Sequence, residues 1–298
     1  MVHHTNCPLC SSGDLTFHLT CSDHFLTGEP FDLYRCSSCN FVFTQDHPGE
    51  KEAVRYYDSQ DYISHDDSAK GFPTALYRMV RRVMLAGKRR LIIRLTGKTT
   101  GDLLDIGAGS GHFAGAMKQA GWNVTGIEPG KKAAAHASSQ FGIRMIDPAQ
   151  MPDLTDRSFD CVTLWHVLEH LHDPFTYASE ILRVLRPGGK CIIALPDSSS
   201  HDAGYYREHW AAYDVPRHLW HFTPGTLKSF AEKSGFYMSG KRSLPFDVFY
   251  ISYLSEKYRG ANLPLLSGFL KGVWFSVISF LSKKGSSSMI CILQGRSA

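Results

Sequence analysis

A short apolar strand and a glycine-rich turn adjoin in the sequence Leu103-Leu104-Asp105-Ile106-Gly107-Ala108-Gly109-Ser110-Gly111. A helix-length segment, residues 112–120, follows the turn directly. Glycine lets the chain turn tightly and lets a ligand approach the backbone at the N-terminus of the next helix. The order of strand, glycine turn and helix therefore predicts the first unit of a nucleotide-binding α/β domain.

The same alternation continues along the chain. Further apolar runs of strand length lie at residues 124–127, 143–146, 159–165, 191–195 and 289–293, and helix-length segments lie at 131–141 and 175–185. Such strand–helix units build a parallel sheet that is covered on both faces. We therefore expect a doubly wound α/β domain over residues 101–298, with an apolar helical insertion at about 247–285.

The acidic residues near the glycines indicate which ligand binds. Three positions after Gly109 stands His112, not the glycine that a dinucleotide site requires. Asp105 would repel a pyrophosphate, but it suits a ligand that carries an ammonium group. Glu128 ends the second strand, where a carboxylate can accept hydrogen bonds from both ribose hydroxyls. These features predict a nucleoside with a cationic tail, and S-adenosylmethionine has that chemistry.

Four ordered motifs resemble those of class I S-adenosylmethionine-dependent methyltransferases: Leu104 to Gly111, Gly126-Ile127-Glu128-Pro129, Phe159-Asp160-Cys161-Val162 and Leu185-Arg186-Pro187-Gly188-Gly189. The resemblance covers roughly residues 101–240 and implies a seven-stranded Rossmann-like sheet whose last strand is antiparallel. It also implies cofactor contacts by Asp105, Gly107, Gly109 and Gly111 at the methionine moiety, by Glu128 and Pro129 at the ribose, and by Asp147 at the adenine. Because Pro148 has no N–H, the usual backbone donor next to Asp147 is missing here.

A histidine-rich segment, Trp165-His166-Val167-Leu168-Glu169-His170, follows the fourth strand of the domain. Its last five residues match the H-x-x-E-H pattern of one class of zinc peptidases. Its place at the carboxyl end of a central strand instead favours a role in lining the ligand crevice, with Trp165 and His166 beside the cofactor. The segment also resembles that of ubiquinone-pathway O-methyltransferases, some of which hold a divalent ion with two glutamates and a histidine. His166 stands where the first glutamate would be.

A second histidine run, Pro216-Arg217-His218-Leu219-Trp220-His221-Phe222, lies after the fifth strand. It resembles the P-R-H-L-x-H-F run of methyltransferases related to the ubiquinone and antibiotic-sugar C-methylating enzymes. Histidine titrates near neutral pH and can remove a proton from an acceptor. We interpret His170, His218 and His221 as candidate general bases. The alternative is that His218 and His221 only bond backbone groups and cap the next helix.

Four of the eight cysteines are grouped as Cys7-Pro-Leu-Cys10 and Cys36-Ser-Ser-Cys39. Paired C-x2-C units supply four thiolates for a tetrahedral metal ion, which stabilises a segment too small to have its own core. We predict a structural zinc ribbon over residues 1–45, with redox use of the cysteines as the alternative. Similar knuckles precede the methyltransferase domain in sugar C-methyltransferases. Thiolates need a reducing compartment and no signal peptide is recognisable, so we expect a cytoplasmic protein.

The remaining segments bear on partners. Residues 46–100 form a connector and a basic helix, and from Lys70 to Lys98 there are nine basic residues and no acidic one. This stripe is the only support for an RNA substrate, whereas the whole chain has a formal net charge of only +4.

Residues 263–281 are apolar but interrupted by Lys271, which indicates packed helices or contact with a membrane surface rather than a membrane-spanning helix. Tyr62 and His65 are expected to close over the cofactor.

Taken together, these features predict methyl transfer from S-adenosylmethionine to a small-molecule acceptor: a sugar nucleotide, a quinone or a lipid-like precursor. The alternatives are an RNA methyltransferase and a non-catalytic cofactor-binding adaptor that holds a partner through the ribbon. With 43% hydrophobic and 20% charged residues, the composition excludes a disordered chain. The acceptor atom, the oligomeric state and a second metal ion near Glu169 stay open at this stage.

Overall fold

The computed structural model describes residues 1–57, 74–244, 246–282 and 285–296. Side chains of the first long helix are described from residue 81 onward. The expectation that Tyr62 and His65 close over the cofactor lies outside the described residues.

The described strands are numbered in chain order as β1 (Leu15–Ser22), β2 (Pro30–Cys36), β3 (Val42–Thr44), β4 (Asp102–Ile106), β5 (Asn123–Ile127), β6 (Arg144–Ile146), β7 (Phe159–Trp165), β8 (Leu185–Pro196), β9 (Trp220–His221), β10 (Phe236–Ser243) and β11 (Ser288–Gly295). The α-helices are α1 (Glu50–Ala53), α2 (Thr74–Thr96), α3 (His112–Gln119), α4 (Lys131–Phe141), α5 (Pro174–Val184), α6 (His201–Tyr206), α7 (Pro224–Lys233), α8 (Asp247–Tyr258) and α9 (Pro264–Ser282).

The main sheet has seven strands in the order β10-β11-β8-β7-β4-β5-β6. Strands β4 to β8 run parallel, whereas β11 is antiparallel to both of its neighbours, β8 and β10. The predicted seven-stranded, doubly wound sheet with an antiparallel last strand is therefore confirmed. From β4 the chain passes to β5 on one side and later returns to β7 on the other. A ligand crevice is thus expected at the carboxyl ends of β4 and β7.

Local sequence explains where two helices begin at this edge of the sheet. Thr223 caps α7 by accepting a hydrogen bond from the Thr226 N–H at 3.2 Å, and Pro224 takes the first helical position. Helix α5 begins in the same way, because Asp173 accepts from the Thr176 N–H at 3.0 Å just before a proline. Both helices therefore start at defined residues, which fixes the loops that lead into them.

The turn predicted at residues 186–189 lies inside strand β8 rather than before it. Phe159 pairs with Leu185 and Cys161 pairs with Lys190, so four residues of β8 face one residue of β7. Glycine permits this bulge because Gly188 has a φ of +79°. The Arg186 guanidinium then bonds the Asp160 carboxylate at 2.6 Å and holds the bulge in place, at the end of the sheet opposite the crevice.

The N-terminal segment forms a second, antiparallel sheet in the order β1-β2-β3-β9. Its last strand does not come from the first 45 residues, because β9 lies just before helix α7. Val42 pairs with His221 and Phe43 pairs with Trp220. The predicted ribbon is therefore joined by a strand of the α/β part of the chain, and the two sheets share the histidine run.

Helices α8 and α9 form the insertion predicted between β10 and β11, and they pack against each other. Two glycines of α9 allow the close approach. A Cβ atom at Gly268 would lie 2.5 Å from the Cα of Tyr253, and one at Gly272 would lie 2.6 Å from the Phe249 ring. Among the described residues, α9 is the helix that is long and apolar enough to cross a membrane by length and composition.

Candidate functional site

The glycine turn after β4 lies against the segment that follows β7. Gly107 has a φ of +68°, and a Cβ atom there would lie only 2.3 Å from a methyl carbon of Val167. Gly111 has a φ of +83°, and a Cβ atom there would lie 2.6 Å from Ala137 on α4. Both positions require glycine for a left-handed backbone and a close approach. The turn is thereby held beside the Trp165 to His170 segment, as the crevice requires.

Asp105 is buried at the carboxyl end of β4. Its Oδ1 atom accepts a hydrogen bond from the Thr163 hydroxyl of β7 at 2.7 Å. Burial raises the pKa of Asp105 to about 7, although the Thr163 bond and the ammonium of Lys88 act in the opposite direction. A cationic ligand would therefore convert Asp105 to its ionised form on binding.

Glu128 connects the two glycine-rich turns at the ends of β4 and β5. Its Oε2 atom accepts from the Gly109 N–H at 2.9 Å, and its Oε1 atom accepts from the Gly130 N–H at 2.8 Å. Pro129 lies between them and is exposed. Each carboxylate oxygen has two lone pairs, so the same group retains acceptor capacity for ribose hydroxyls.

Asp147 lies at the end of β6, on the same edge of the sheet. Its Oδ1 atom accepts from the Ala149 N–H at 2.9 Å and caps a short 3₁₀ helix, residues 148–153. The side chain is exposed, which leaves the second carboxylate oxygen accessible to a ligand.

Trp165 forms part of the crevice wall at the end of β7. The Lys88 ammonium of α2 lies 4.1 Å from the centre of its ring, and Phe113 packs edge-on at 5.3 Å. Burial lowers the pKa of Lys88, and the neighbouring carboxylates of Asp105 and Asp247 counteract that effect. The basic helix therefore contributes one cation to the cofactor side of the crevice, which the sequence pattern did not reveal.

His166 lies between two carboxylates and has a left-handed backbone, with a φ of +58°. Its Nε2 atom is 3.2 Å from Asp247 of the insertion, and its Nδ1 atom is 3.5 Å from Glu169. Burial disfavours the charged ring, but the two carboxylates outweigh it and raise the pKa of His166 to about 10. His166 is therefore an imidazolium at neutral pH and cannot accept a further proton.

Three side chains converge beyond His166: Glu169, His170 and His218 have ligand atoms within 4.8 Å of one another. The rings of His170 and His218 are perpendicular, with centres 4.5 Å apart. Both carboxylate oxygens of Glu169 are buried, and the nearest described partner is the His166 imidazolium, 3.5 Å from Oε1, with no closer hydrogen bond among the described residues. A buried carboxylate with so few partners is costly, so the cluster is suited to receive a polar ligand or a cation.

The two ring nitrogens of each of these histidines have different surroundings. The Nδ1 atom of His218 donates to the Ala212 carbonyl at 2.8 Å, which leaves Nε2 as the acceptor. The Nδ1 atom of His170 donates to the Arg217 carbonyl at 3.0 Å and lies 3.1 Å from the Tyr57 hydroxyl. Burial, with a further contribution from His218, lowers the pKa of His170 to about 4. His170 is therefore a neutral ring at physiological pH.

His221 occupies different surroundings from His170 and His218. Its Nε2 atom lies 3.1 Å from the Thr44 hydroxyl of β3, and the Tyr213 ring packs edge-on against it at 5.1 Å. Burial holds the pKa of His221 well below its usual range. These contacts link His221 to the N-terminal sheet.

A buried ion pair joins the N-terminal segment to the histidine run. The Arg217 guanidinium is 2.8 Å from Asp23 and 2.7 Å from Asp214, and it also donates to the Tyr56 carbonyl at 3.1 Å. The Arg217 and Asp23 side chains are 1% and 0% exposed. Sequence reasoning missed Asp23, and also Asp247 and Tyr57, because each lies far along the chain from its partner in the site.

The four predicted metal ligands lie together. The Sγ atoms of Cys7 and Cys39 are 3.6 Å apart, those of Cys10 and Cys36 are 3.5 Å apart, and all four fall within 4.8 Å of one another. Zn–S bonds of about 2.3 Å in a tetrahedron place sulfur atoms ~3.8 Å apart, so the geometry fits zinc.

The two C-x2-C units also have the same backbone shape. The residue after each second cysteine, Ser11 or Asn40, has a positive φ of 64° or 61°. The N–H of that residue donates to the carbonyl of the first cysteine of its pair at 2.8 Å in both units. Matching turns of this kind aim two thiols of each pair at one point, which supports a shared metal ion.

The basic stripe is not a continuous surface in the part of α2 whose side chains are described. Arg81 lies 2.8 Å from His112, Lys98 bonds Asp160 at 2.6 Å, and Lys88 points to Trp165. The exposed cations in this described part are Arg82, Arg89, Arg90, Arg94 and the paired Lys98. The stripe therefore serves in part to attach α2 to the α/β sheet.

The sheet order, the glycine turn at Asp105 and the acid at the end of β5 together define a class I methyltransferase fold. The family described as "Methyltransferase domain" matches residues 78–239, which is more than half of the chain, and the chain belongs to this family. The membership predicted from the sequence motifs is therefore confirmed. The match begins inside helix α2 and excludes the cysteine cluster and helices α8 and α9.

Two curated relatives match part of the chain. A protein of Mycolicibacterium smegmatis assigned as an S-adenosylmethionine-dependent methyltransferase is 33% identical over 119 residues, which cover 39% of this chain and 45% of the relative. The ubiquinone biosynthesis O-methyltransferase of Pseudomonas aeruginosa is 36% identical over 107 residues, which cover 34% of this chain and 45% of the relative. The chain thus spans less than half the length of these relatives.

Among solved structures, the [4+2]-cyclase SpnF aligns with a TM-score of 0.54 at 16% identity, over 85% of this chain and 98% of that one. This likeness shows the fold alone. Because the matched protein is named for a cyclisation, the reaction of the present chain has to be argued from its own site.

We predict that S-adenosylmethionine binds more weakly as the pH falls below 7. The free protein has a raised pKa at Asp105, about 7, and a bound cation lowers it, so binding releases a proton. The dissociation constant should then rise by up to about tenfold per pH unit below that value. Titration calorimetry between about pH 5.5 and 7 measures this slope, since the cofactor keeps its charges there.

Two variants test the assignment of that slope. Asp105→Asn should abolish it, whereas Asp153→Asn, an exposed residue outside the crevice, should retain it. A slope that persists in Asp105→Asn would show that another group takes up the proton.

We also predict that the purified chain contains one zinc ion held by the four clustered cysteines. Cys36→Ser should lose the ion and lower the thermal midpoint, because metal binding supplies part of the folding free energy of so small a unit. Cys21→Ser, a buried cysteine of the same sheet that lies outside the cluster, should keep the ion. Elemental analysis and a melting curve measure both effects, and equal zinc contents in the two variants would contradict the assignment.

Proposed function

We propose that this chain transfers the methyl group of S-adenosylmethionine to a small-molecule acceptor held beside His218. The observation that carries the proposal is the convergence of Glu169, His170 and His218 directly beyond the end of β7. There they adjoin the crevice formed by Asp105 and the glycine turn. The proposed cofactor side and the proton-accepting side of the crevice thus lie at the ends of adjacent strands, as methyl transfer requires.

The cofactor half of the crevice is assigned from position and charge. The methionine moiety would lie against Asp105 and the turn at Gly107, Gly109 and Gly111. The ribose would lie against Glu128 and Pro129, and the adenine against Asp147. Trp165 supplies a flat apolar wall, and His166 closes the crevice through its ion pair with Asp247. The cofactor supplies a methyl group on a sulfonium that is already electrophilic, so the residues need only hold it in line with the acceptor.

Of the three candidate bases, His218 is favoured. Its Nδ1–H is fixed by the Ala212 carbonyl, so the Nε2 lone pair is available to take a proton from an acceptor hydroxyl or acidic C–H. The Asp214 carboxylate lies 3.9 Å from Nε2, and Glu169 is adjacent, so both stabilise the imidazolium that forms. His170 has a strongly lowered pKa and His221 bonds Thr44, which assigns them positioning roles.

The same cluster could instead hold a divalent cation. One carboxylate and two imidazoles form a donor set that such ions accept, and the oxygens of Glu169 have no closer partner than the His166 ring in the described structure. A bound ion would polarise an acceptor oxygen and lower its pKa. His166 is an ion-pair partner rather than a further ligand in this arrangement.

The N-terminal unit, residues 1–45, is assigned a positioning role. Zinc would fix the turns of this unit. Strand β3 would then hold the histidine run by pairing with β9, and Asp23 would hold it by its ion pair with Arg217.

A quinone-like, lipid-like or sugar-nucleotide acceptor in the cytoplasm is consistent with this site, and the curated relative named for ubiquinone biosynthesis supports the first of these. RNA is disfavoured, because several cations of the basic stripe are engaged within the protein.

We predict that methyl label moves from S-adenosylmethionine into a small molecule of a cell extract and that His218→Gln abolishes this transfer. General bases contribute a factor of about 10² to 10⁴, so turnover should fall at least a hundredfold. Calorimetry should give an S-adenosylhomocysteine affinity within twofold of the wild type. The matched control is His172→Gln, because His172 bonds the Pro48 carbonyl and packs edge-on against His47, outside the cluster, and should leave turnover unchanged.

Separation of the labelled extract into organic, aqueous, RNA and protein fractions identifies the acceptor class. Label in the organic fraction indicates a quinone or lipid, and aqueous label indicates a sugar or another metabolite. Label in RNA would contradict the proposal. Absence of transfer despite cofactor binding would favour the non-catalytic adaptor.

A further inference from the structure

Helix α9 exposes an apolar surface that no described part of the chain covers. Phe280 and Leu281 are 85% and 73% exposed, and the remaining large apolar side chains of this surface are each at least 41% exposed: Leu265, Leu266, Phe269, Leu270, Val273, Trp274 and Val277. Contiguous exposed surface of this kind marks a binding site for a protein or a membrane. We propose that α9 lies flat on an anionic lipid bilayer.

The opposite side of α9 determines how it can meet a membrane. Gly268 and Gly272 pack onto α8, and the buried Phe275, at helical spacing from them, packs against Tyr206 of α6. Lys257 in the last turn of α8 and Arg259 just after it are exposed charged residues that would not enter hydrocarbon. Because α9 is fixed along α8, it cannot cross a bilayer alone. It can only immerse its exposed side in the interfacial region.

The charge of this part of the chain selects the lipid. After Glu256 the sequence contains no Asp or Glu, whereas it contains six basic residues: Lys257, Arg259, Lys271, Lys283, Lys284 and Arg296. Juxtaposed basic and apolar residues bind bilayers that carry anionic headgroups, because the negative surface attracts nearby cations.

Aromatic residues next to Lys271 have the distribution expected at a headgroup layer. The Lys271 ammonium lies 4.4 Å from the centre of the Tyr205 ring and 5.0 Å from that of Trp274. Tryptophan and tyrosine are favoured at membrane interfaces, because their rings are apolar and carry a polar atom at one edge. A basic side chain at the same level is therefore positioned for a lipid phosphate.

A second copy of the chain is the competing occupant. Two copies joined through α9 would bring cations of the same sign together, and the sequence after Glu256 offers no acid to compensate them. An anionic lipid surface supplies that opposite charge over the whole exposed side. The assignment depends on this surface alone and not on the proposed methyl transfer.

Vesicle flotation tests the proposal with the full chain. Wild-type protein should float with vesicles of phosphatidylcholine containing about one third phosphatidylglycerol, and should partition at least tenfold less onto pure phosphatidylcholine. The double variant Phe269→Ser/Phe280→Ser should lose at least tenfold in partitioning, because two apolar side chains leave the interface. The double variant Lys257→Gln/Lys271→Gln should reduce partitioning onto the anionic vesicles only.

The matched control is Phe17→Ser/Tyr237→Ser, which removes two exposed aromatic side chains from other surfaces and should bind vesicles like the wild type. Melting curves and S-adenosylhomocysteine binding should show that every variant is folded. Equal flotation of the α9 variant and the wild type would overturn the proposal. The proposal would also be overturned if the wild type did not bind vesicles and sedimented as a dimer, while the α9 variant sedimented as a monomer. Helix α9 would then be a subunit interface.

Discussion

The buried guanidinium of Arg217 is the interaction on which the acceptor side of the molecule depends. It pairs with Asp23 of the N-terminal unit and with Asp214 of its own loop, and its backbone carbonyl accepts from His170. A buried charge is stable only when it is paired and hydrogen-bonded, so removal of one partner costs about 3–5 kcal/mol. In the proposed function the N-terminal unit is therefore part of the acceptor site, because Asp23 holds the residue that precedes His218.

The crevice consists of two halves with different electrostatics. In the proposed cofactor half, Asp105 is buried, has a raised pKa and would pair with a cationic ligand. Lys88 and the imidazolium of His166 lie nearby. On the acceptor half, His170 is held neutral beside buried Glu169. His166, an imidazolium at neutral pH, lies between these halves, so the proposed mechanism places the proton acceptor in the second half. The insertion contributes through Asp247 and thereby couples the crevice to the helix pair α8 and α9.

Much of the fold followed from local sequence. The spacing of the glycines and the alternation of apolar runs with helix-length segments are local features of the sequence, so the strands and helices of the α/β part could be predicted from it. The pairing of β3 with β9 and the Asp23–Arg217 bridge join positions almost two hundred residues apart, and no local pattern encodes them. For the same reason the roles of Lys88, Asp247 and His221 emerged only from the three-dimensional arrangement. The turn at residues 186–189 was recognised by composition, but its place inside β8 depends on pairing with β7.

The most direct test of this account compares cofactor binding and methyl transfer in Asp23→Asn, which removes the charge that fixes Arg217 without changing the shape of the side chain. Asp32→Asn, an exposed position in the same sheet, is the control. The account predicts that S-adenosylhomocysteine binds Asp23→Asn within twofold of the wild type, whereas labelled methyl transfer falls at least tenfold. Unchanged transfer, or a loss of cofactor affinity as large as the loss of transfer, would contradict the claim that the N-terminal unit builds the acceptor half of the site.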